Sequence, residues 1–316
     1  MNAAYRGNFT HTMRKPSILG ILIVLLVSPI SGAVELERET LAAWDEYIRK
    51  ATSRVEGMLP PKSQFLWIDE VSDRARRVRQ GEIVVSPVGN GNPKSVTGGL
   101  IHDWIGAIFV PKATIDDVLS VVQDYNRYRE VYRPTVIDSK FIARSGEEYK
   151  FSMVGLKRVL FEAIVLQGEF ESRCRYMDGR HVYCISQSTR LQEIQNYGQP
   201  DARKLPPDTG HGYLWRLHSI TKFEERDGGV FIELETSALS RDITTALAWV
   251  MKPVVRRVSR NSISTILRQT QEAVRSRVSS RAAESAGDSV FICGCGLASV
   301  SSRSLFLRSS GMAISD

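Results

Sequence analysis

The stretch YLWRLHSITKFEERDGGVFIELETSAL, residues 213–239, decides the fold. Its side chains alternate in character on both sides of the Gly-rich break RDGG, residues 226–229, which is the pattern of a β-hairpin. One row is mainly apolar and comprises Trp215, Leu217, Ser219, Thr221, Phe223, Val230, Ile232, Leu234, Thr236 and Ala238. The other row is mainly polar and is predicted to face solvent; it includes Arg216, His218, Lys222, Glu233 and Glu235.

The apolar row carries hydroxyl groups at Ser219, Thr221 and Thr236. A close-packed core rarely contains such groups, because a buried hydroxyl without a partner costs free energy. A cavity that holds a ligand accepts them, since they orient a polar end of the ligand. The hairpin is therefore predicted to line a cavity, although for any single residue plain core packing is the alternative.

Composition permits one or two globular domains and gives little support to nucleic-acid binding. The chain has 316 residues, 42% of them hydrophobic, and a formal net charge of +7. Of this charge, residues 1–33 contribute +3 and residues 277–316 contribute +1, which leaves +3 for the body. A nucleic-acid interface would need basic residues concentrated on one face, so no nucleic-acid partner is expected.

The segment 13–33, MRKPSILGILIVLLVSPISGA, has the three-part pattern of a secretory signal peptide. Two cations precede an apolar run, and small residues end it at Ala33, where cleavage is expected. Met13 is an alternative start of translation. If the segment stays uncleaved it becomes a membrane anchor, and in either case the body is predicted to lie outside the cytoplasm.

Four cysteines, Cys174, Cys184, Cys293 and Cys295, bear on redox chemistry. An oxidising compartment permits a disulfide between the first two. A three-residue turn between their strands would place the two sulfurs opposite each other, whereas a two-residue turn would place them on opposite faces. The pairing thus depends on register. The other two cysteines supply too few ligands for a metal site, so no metal is predicted.

The first segment after the leader, residues 34–85, is predicted to be helical. Apolar residues recur at helical spacing over residues 35–59, namely Leu41, Trp44, Ile48, Ala51, Val55 and Met58. This stripe is expected to pack on the domain that follows; a dimer interface is the alternative.

Residues 100–278 are predicted to form an α+β domain. A strand over 100–110 and a helix after Thr114 precede a series of short strands separated by turns, which is typical of antiparallel pairing. The hairpin follows, and then a long helix that reaches Arg277. Sheet and helix can bury their apolar faces only by stacking, with a gap expected between the hairpin and Ile263, Ile266 and Leu267. Residues 279–316, which are rich in Ser and Arg, are predicted to be a disordered tail, with a tail translated out of frame as the alternative.

Two segments carry a resemblance to a known superfamily. VPKATIDDVLSVVQDYNRYREVYRP, residues 110–134, and the hairpin with PVVRRVSRNSISTILRQTQEAV, residues 253–274, resemble the START-like (SRPBCC) superfamily, especially its exported bacterial members. Arg129 stands where the family pattern often has proline. The resemblance implies a helix-grip fold, in which a curved antiparallel sheet wraps a long C-terminal helix. It also implies a cavity for a lipid, quinone or polyketide-like ligand and a periplasmic location, with a signal-anchored inner-membrane form as the alternative.

The predicted ligand-binding residues follow from the apolar rows and the C-terminal helix. They are Trp104, Phe151, Met153, Trp215, Leu217, Ser219, Leu234, Thr236, Ile263 and Leu267. No Gly-x-Ser-x-Gly or His-Glu-x-x-His pattern occurs, and no catalytic set or cofactor is assigned. His218 is predicted to be solvated.

Three functions remain open at this point. The first is binding or transport of an apolar small molecule outside the cytoplasm. The second is a cyclase or hydrolase that uses the same cavity, and the third is a structural module of the cell envelope. The segment around Pro253, which contains Trp249, is either a lip that touches a membrane surface transiently or a packed helix start.

Overall fold

The computed structural model describes residues 34–58, 64–159, 162–243 and 245–293. The predicted signal peptide lies outside these residues, as do residues 294–316 of the predicted tail. Among the described residues, no helix combines the length and apolar character that crossing a membrane requires.

Helices lie at both ends of the described chain, and strands occupy most of its middle. The helices are α1 (Arg38–Glu56), α2 (Ser72–Arg79), α3 (Ile115–Val122), α4 (Tyr128–Val131) and α5 (Thr245–Cys293), with 3-10 turns at Trp67–Glu70 and Tyr125–Arg127. The strands are β1 (Val34–Glu35), β2 (Val84–Pro87), β3 (Lys94–Val96), β4 (Gly99–Pro111), β5 (Val136–Ser145), β6 (Glu148–Val159), β7 (Glu162–Tyr176), β8 (His181–Gln195), β9 (Arg203–Lys204), β10 (Thr209–Gly210), β11 (Arg216–Arg226) and β12 (Gly229–Arg241).

One large antiparallel sheet organises the molecule. Its strand order is β2-β4-β12-β11-β8-β7-β6-β5, with β3 paired to β4 and β9 paired to β8. The predicted hairpin consists of β11 and β12, which lie near the middle of this strand order. Arg226 of β11 pairs with Gly229 of β12 next to the turn. The turn between them has positive φ at Asp227 (57°) and Gly228 (76°), as a tight two-residue hairpin turn requires. The predicted α+β architecture and the hairpin are confirmed.

The C-terminal helix α5 covers one face of the sheet, which we call the inner face. Ile263, Leu267 and Val274 of α5 join a buried cluster with Ile108, Val110, Phe223 and Ile232 of the sheet. The Gln271 side chain donates a hydrogen bond to the Phe109 carbonyl at 2.8 Å. Since the sheet and the long helix stack in this way, the arrangement is a helix grip.

The helix approaches β4 closely at Gly106. A Cβ atom added there would lie 2.8 Å from Leu267 Cδ1 and 3.1 Å from Ile263 Cγ2. The predicted gap opposite Ile263 and Leu267 is therefore wrong: both residues are core residues, 5% and 1% exposed. Because Gly106 has no side chain, α5 can approach β4 closely at this position.

Replacing Gly106 with valine is expected to lower the free energy of unfolding by about 1–3 kcal/mol, because the added methyl groups overpack this contact. Gly155→Val is the matched control within a strand, since a Cβ there would meet only two backbone carbonyls, at 3.8 and 4.0 Å. Urea denaturation of both variants would measure the difference. Equal losses at the two positions would contradict a close contact at Gly106.

The N-terminal segment covers the opposite, outer face of the sheet. Ala51 and Val55 of α1 pack with Phe65, Leu66 and Ile68 against Ala107, Phe109, Ile220 and Phe231. The hairpin row predicted to face solvent lies in this interface, with His218 and Glu233 only 2% and 1% exposed. The prediction of a solvated row is wrong, because α1 and the 3-10 turn after it bury that face. The α1 stripe packs on the domain, as expected.

Two further features concern the cysteines and the tail. A disulfide joins Cys174 to Cys184, which are directly paired across β7 and β8. The disordered tail predicted from residue 279 is wrong for residues 279–293, which continue α5. Arg281 Nη1 reaches Asp117 Oδ2 at 2.8 Å, so this extension contacts α3.

Candidate ligand-binding groove

A row of hydroxyl-bearing residues crosses the inner face of the sheet. Ser172 pairs with Ser186, Ser186 with Ser219, and Ser219 with Thr236. Directly paired residues on neighbouring strands share one face, so these four side chains lie side by side. The row ends at Trp104, which pairs with Thr236. We call Ser172, Ser186, Ser219 and Thr236 the hydroxyl row.

Three of the four residues in the hydroxyl row are less buried than the outer face beneath them, while Ser172 is buried. Ser186, Ser219 and Thr236 are half-buried, whereas His218 and Ser237, which alternate with them, are fully buried. No hydrogen bond joins the side chains of Ser219 or Thr236 to another described residue. This part of the inner face is therefore partly accessible, and we call the strip along the hydroxyl row the candidate groove.

Two apolar clusters bound the groove along the sheet. On one side is the cluster beneath α5, which includes Trp104, Ile263 and Leu267. On the other side Tyr125 stacks on Phe151 at 4.2 Å between ring centroids, and Phe151 stacks on Phe170 at 5.2 Å. Burial raises the pKa of Tyr125, whose hydroxyl also interacts with Ser172. The hydroxyl row thus lies between two packed walls.

Beyond the aromatic cluster, a separate half-buried strip of the inner face follows β6 and β7. Met153, Gly155 and Lys157 alternate with outward-facing residues and share the inner face with Phe151. Opposite them, Leu166 pairs with Gly155 and Ile164 with Lys157. All five are half-buried. This strip is therefore mainly apolar, with Lys157 as its one cation among the residues named here.

The structure brings nine of the ten predicted ligand-binding residues to the inner face. Leu217, Ser219, Leu234 and Thr236 are half-buried near the hydroxyl row, and Met153 is half-buried beyond the aromatic cluster. Trp104, Phe151, Ile263 and Leu267 are buried in the two clusters beside the row. Trp215 does not join them. It packs with Trp44 and Ile48 of α1 on the other side of the sheet, because it precedes β11 and its backbone N–H bonds to Leu239.

Sequence reasoning missed several groove residues. Ser172 and Ser186 lie on strands whose inner face the sequence left unassigned, and the disulfide-bonded Cys174 pairs next to them in the adjacent row. Gly155 and Lys157 were also missed. Alternation with Phe151 and Met153, which were predicted, is the signal that would have placed both on the groove side.

A second polar group is buried on the outer face. The Tyr47 hydroxyl donates to Asp103 Oδ2 at 2.6 Å, and His218 Nε2 lies 3.3 Å from Thr52 Oγ1. Burial raises the pKa of Asp103 to about 7, with the nearby Glu235 carboxylate acting in the same direction. Burial lowers the pKa of His218 to about 4. These groups attach α1 to the sheet and lie away from the groove.

Two clefts in the described part of the chain lie elsewhere, and neither is lined by a residue of the hydroxyl row. One, of about 410 Å³, is lined by Arg129, Arg133, Pro134, Val136 and Ile137. The other, of about 320 Å³, lies between α1 and the outer face and is lined in part by Arg54, Phe65 and Glu235. Among the residues described, no group of His, Cys, Asp and Glu is arranged to hold a metal ion.

Neither a family model nor a curated protein matches the chain. Several solved structures are similar. The STAR-related lipid transfer protein of Xanthomonas axonopodis is 17% identical over 61% of this chain and 98% of its own, with a TM-score of 0.37. Human STARD10 is 10% identical over 79% and 83% of the two chains, with a TM-score of 0.39.

The Zhui aromatase/cyclase of Streptomyces sp. R1128 is 10% identical over 56% of this chain and 96% of its own, with a TM-score of 0.38. Similarities at this level carry no argument about ligand or activity. The fold follows instead from the strand register and the packing of α5 described above. On that basis the chain has the helix-grip fold.

Proposed function

We propose that this protein binds or transports an apolar small molecule, such as a lipid, a quinone or a polyketide-like compound, in the inner-face groove. The observation that carries the proposal is the pair of half-buried hydroxyl groups of Ser219 and Thr236, which have no hydrogen-bond partner among the described residues. Ligand sites are mostly apolar with a few placed polar groups, and this groove has that composition.

The geometry favours binding over catalysis. A serine or threonine nucleophile needs a general base within hydrogen-bond reach. Within the described chain, no histidine or carboxylate bonds to Ser219 or Thr236, and His218 points to the outer face with Thr52. The hydroxyls are therefore placed to orient a ligand. Turnover of an ester or polyketide analogue that depends on either hydroxyl would favour an enzyme instead.

The proposal includes a location outside the cytoplasm, in the periplasm. The signal-peptide pattern of residues 13–33 supports it, and so does the Cys174–Cys184 disulfide, because such bonds persist in oxidising compartments. Cell fractionation with N-terminal sequencing tests this part. A mature chain that begins at Val34 is expected, and a cytoplasmic chain that keeps its leader would contradict it.

Transient contact with a membrane surface is also part of the proposal. Trp249 near the start of α5 is 78% exposed. Tryptophan is favoured at membrane interfaces, where its ring lies at the level of the lipid head groups. Sedimentation with lipid vesicles would test the contact, and binding that survives Trp249→Ser would contradict it.

Filling the groove is expected to abolish ligand binding. Ser219→Trp places an indole among the half-buried side chains of the hydroxyl row, so binding of a fluorescent fatty acid should weaken at least about tenfold. Ser145→Trp is the control, because Ser145 is exposed at the end of β5. Native mass spectrometry of the purified protein should show a co-purifying apolar compound that Ser219→Trp lacks. Equal binding by both variants would contradict a site at the hydroxyl row.

A further inference from the structure

The positive charge of the protein is concentrated in its C-terminal helix. Residues 245–284 contain eight Lys and Arg residues and two Glu residues, which gives them a formal net charge of +6. Residues 34–244, by contrast, have a formal net charge of −2. Between residues 243 and 283 the only carboxylate side chain is that of Glu272. Such a concentration of charge makes this one element of the fold attractive to polyanions.

Four of these arginines lie on one exposed face of α5. At 3.6 residues per turn their directions fall within about 80° around the helix axis, and at 1.5 Å per residue they span about 27 Å along it. Ile263, Leu267 and Val274, on the adjoining face, are buried against the sheet. We call the four exposed residues the cationic stripe: Arg257, Arg260, Arg268 and Arg275.

The cationic stripe is not neutralised within the described part of the chain. None of its four side chains forms an ion pair or a hydrogen bond with a residue that the structure describes. The neighbouring loop 88–93, whose Asn92 carbonyl accepts a hydrogen bond from Arg256 at 3.0 Å, contains no acid. By contrast, four exposed arginines of α1 and α2 each pair with a carboxylate, namely Arg49, Arg76, Arg77 and Arg79.

An exposed tryptophan precedes the cationic stripe on the same helix. Trp249 is 78% exposed and lies eight residues before Arg257, about 12 Å along α5. Tryptophan is favoured where lipid head groups meet the hydrocarbon layer, and arginine is attracted to anionic head groups. This combination favours a lipid surface over a nucleic-acid duplex, because a duplex offers the indole ring no apolar layer.

We propose that the cationic stripe docks the protein on an anionic lipid surface, with α5 along the membrane plane and the Trp249 ring at the level of the head groups. The inference rests on the membrane contact in the proposed function, and it names the charge of the lipid and the face of the protein that recognises it. Each arginine at such a surface is expected to raise the affinity about fivefold, so the four together should raise it at least about a hundredfold.

Sedimentation with vesicles of two compositions tests the inference. One set is pure phosphatidylcholine, and the other is a two-to-one mixture of phosphatidylcholine and phosphatidylglycerol. At an ionic strength of about 0.1 M the wild-type protein is expected to bind the mixed vesicles at least about a hundredfold more tightly than the neutral ones. At about 1 M salt, where the Debye length falls to about 3 Å, this preference should largely disappear.

Replacing all four arginines of the cationic stripe with glutamine is expected to abolish the preference and to leave the binding of a fluorescent fatty acid unchanged. The matched control removes the same charge from α1 and α2, which cover the outer face, and should behave as wild type: Arg49→Gln, Arg76→Gln, Arg77→Gln and Arg79→Gln.

Several outcomes would overturn the inference while the membrane contact stands. They are equal binding of both vesicle types by the wild-type protein, a preference that survives in the stripe variant, and an equal loss of preference in the control variant. Tighter binding of a DNA duplex than of the mixed vesicles would overturn it in favour of a nucleic acid. Failure to bind either vesicle type would overturn the membrane contact as well, and fatty-acid binding by the same sample would show separately whether the groove binds a ligand.

Discussion

Replacing Glu233 with alanine is expected to lower the free energy of unfolding by about 3–5 kcal/mol, because the change leaves a buried charge without its partner. Glu233 is 1% exposed on the outer face of β12. Its Oε1 accepts a hydrogen bond from Lys222 Nζ at 3.1 Å, and its Oε2 accepts one from the Trp67 backbone N–H at 2.7 Å. Alanine removes both acceptors at once.

The loss of stability arises from the polar groups that Glu233→Ala leaves without their hydrogen-bond acceptor. Lys222 would keep only the Phe65 carbonyl, at 3.0 Å, as an acceptor for its ammonium group. The Trp67 N–H would have none, and an unpaired buried donor costs about 1–3 kcal/mol. Burial raises the pKa of Glu233 while Lys222 opposes that rise, so the pair depends on mutual compensation.

Urea denaturation would measure the effect, with Glu171→Ala as the control. Glu171 pairs with Lys150 at 2.8 Å, but these side chains are 27% and 49% exposed, and such pairs contribute about 0–1 kcal/mol. The double replacement Lys222→Met with Glu233→Leu should cost less than Glu233→Ala, because it leaves no buried charge. A loss for Glu233→Ala no larger than that for Glu171→Ala would show that the pair does not anchor the N-terminal segment.

The central hairpin could be predicted from sequence, because alternation and the Asp227-Gly228 turn are local signals. The prediction that the polar row of the hairpin faces solvent was wrong because it also used local signals alone. Alternating polar residues usually indicate a solvated face, and nothing within 213–239 shows that α1 covers it. The stripe of α1 predicted packing on the domain, but a stripe does not say which face of a distant sheet it meets.

The candidate site was predictable to a similar extent. Period-two alternation placed Ser219, Leu234 and Thr236 on the correct face, since they lie within regular strands. It failed for Trp215, which lies just outside β11. The position of the gap was wrong because Gly106 admits α5 to β4, a consequence of tertiary contact that no periodicity contains.

Three buried groups should make the free energy of unfolding depend on pH, with two histidines acting in one direction and one aspartate in the other. Burial lowers the pKa values of His218 and His102 to about 4, below the ordinary 6.5. Burial raises the pKa of Asp103 to about 7, above the ordinary 3.8. Asp103 and His218 are close on the outer face, because each is a cross-strand partner of Ser237. His102 lies elsewhere, with its Nε2 atom 2.9 Å from Ser240 Oγ.

The direction in which each group changes the stability with pH follows from whether the chain binds or releases a proton on unfolding. Below pH 6.5 the unfolded chain protonates both histidines while the folded chain keeps them neutral, so their stabilisation is lost as the pH falls toward 4. Each contributes about 3 kcal/mol over that interval. Asp103 acts oppositely, because the folded chain holds its proton up to about pH 7. Its stabilisation is present at low pH and is lost, by about 3 kcal/mol, as the pH rises from 4 to 7.

In the wild-type protein Asp103 therefore offsets one histidine, and these three groups together lower stability by about 3 kcal/mol between pH 7 and pH 4. His218→Gln should remove that loss, because only His102 and Asp103 remain and they cancel. Asp103→Asn, which still accepts a hydrogen bond from Tyr47, should double the loss to about 6 kcal/mol. Urea denaturation at pH 4, 5.5 and 7 would measure each slope against wild type. Parallel pH profiles for the three proteins would show that His218 and Asp103 do not titrate as buried groups, and hence that α1 does not seal the outer face.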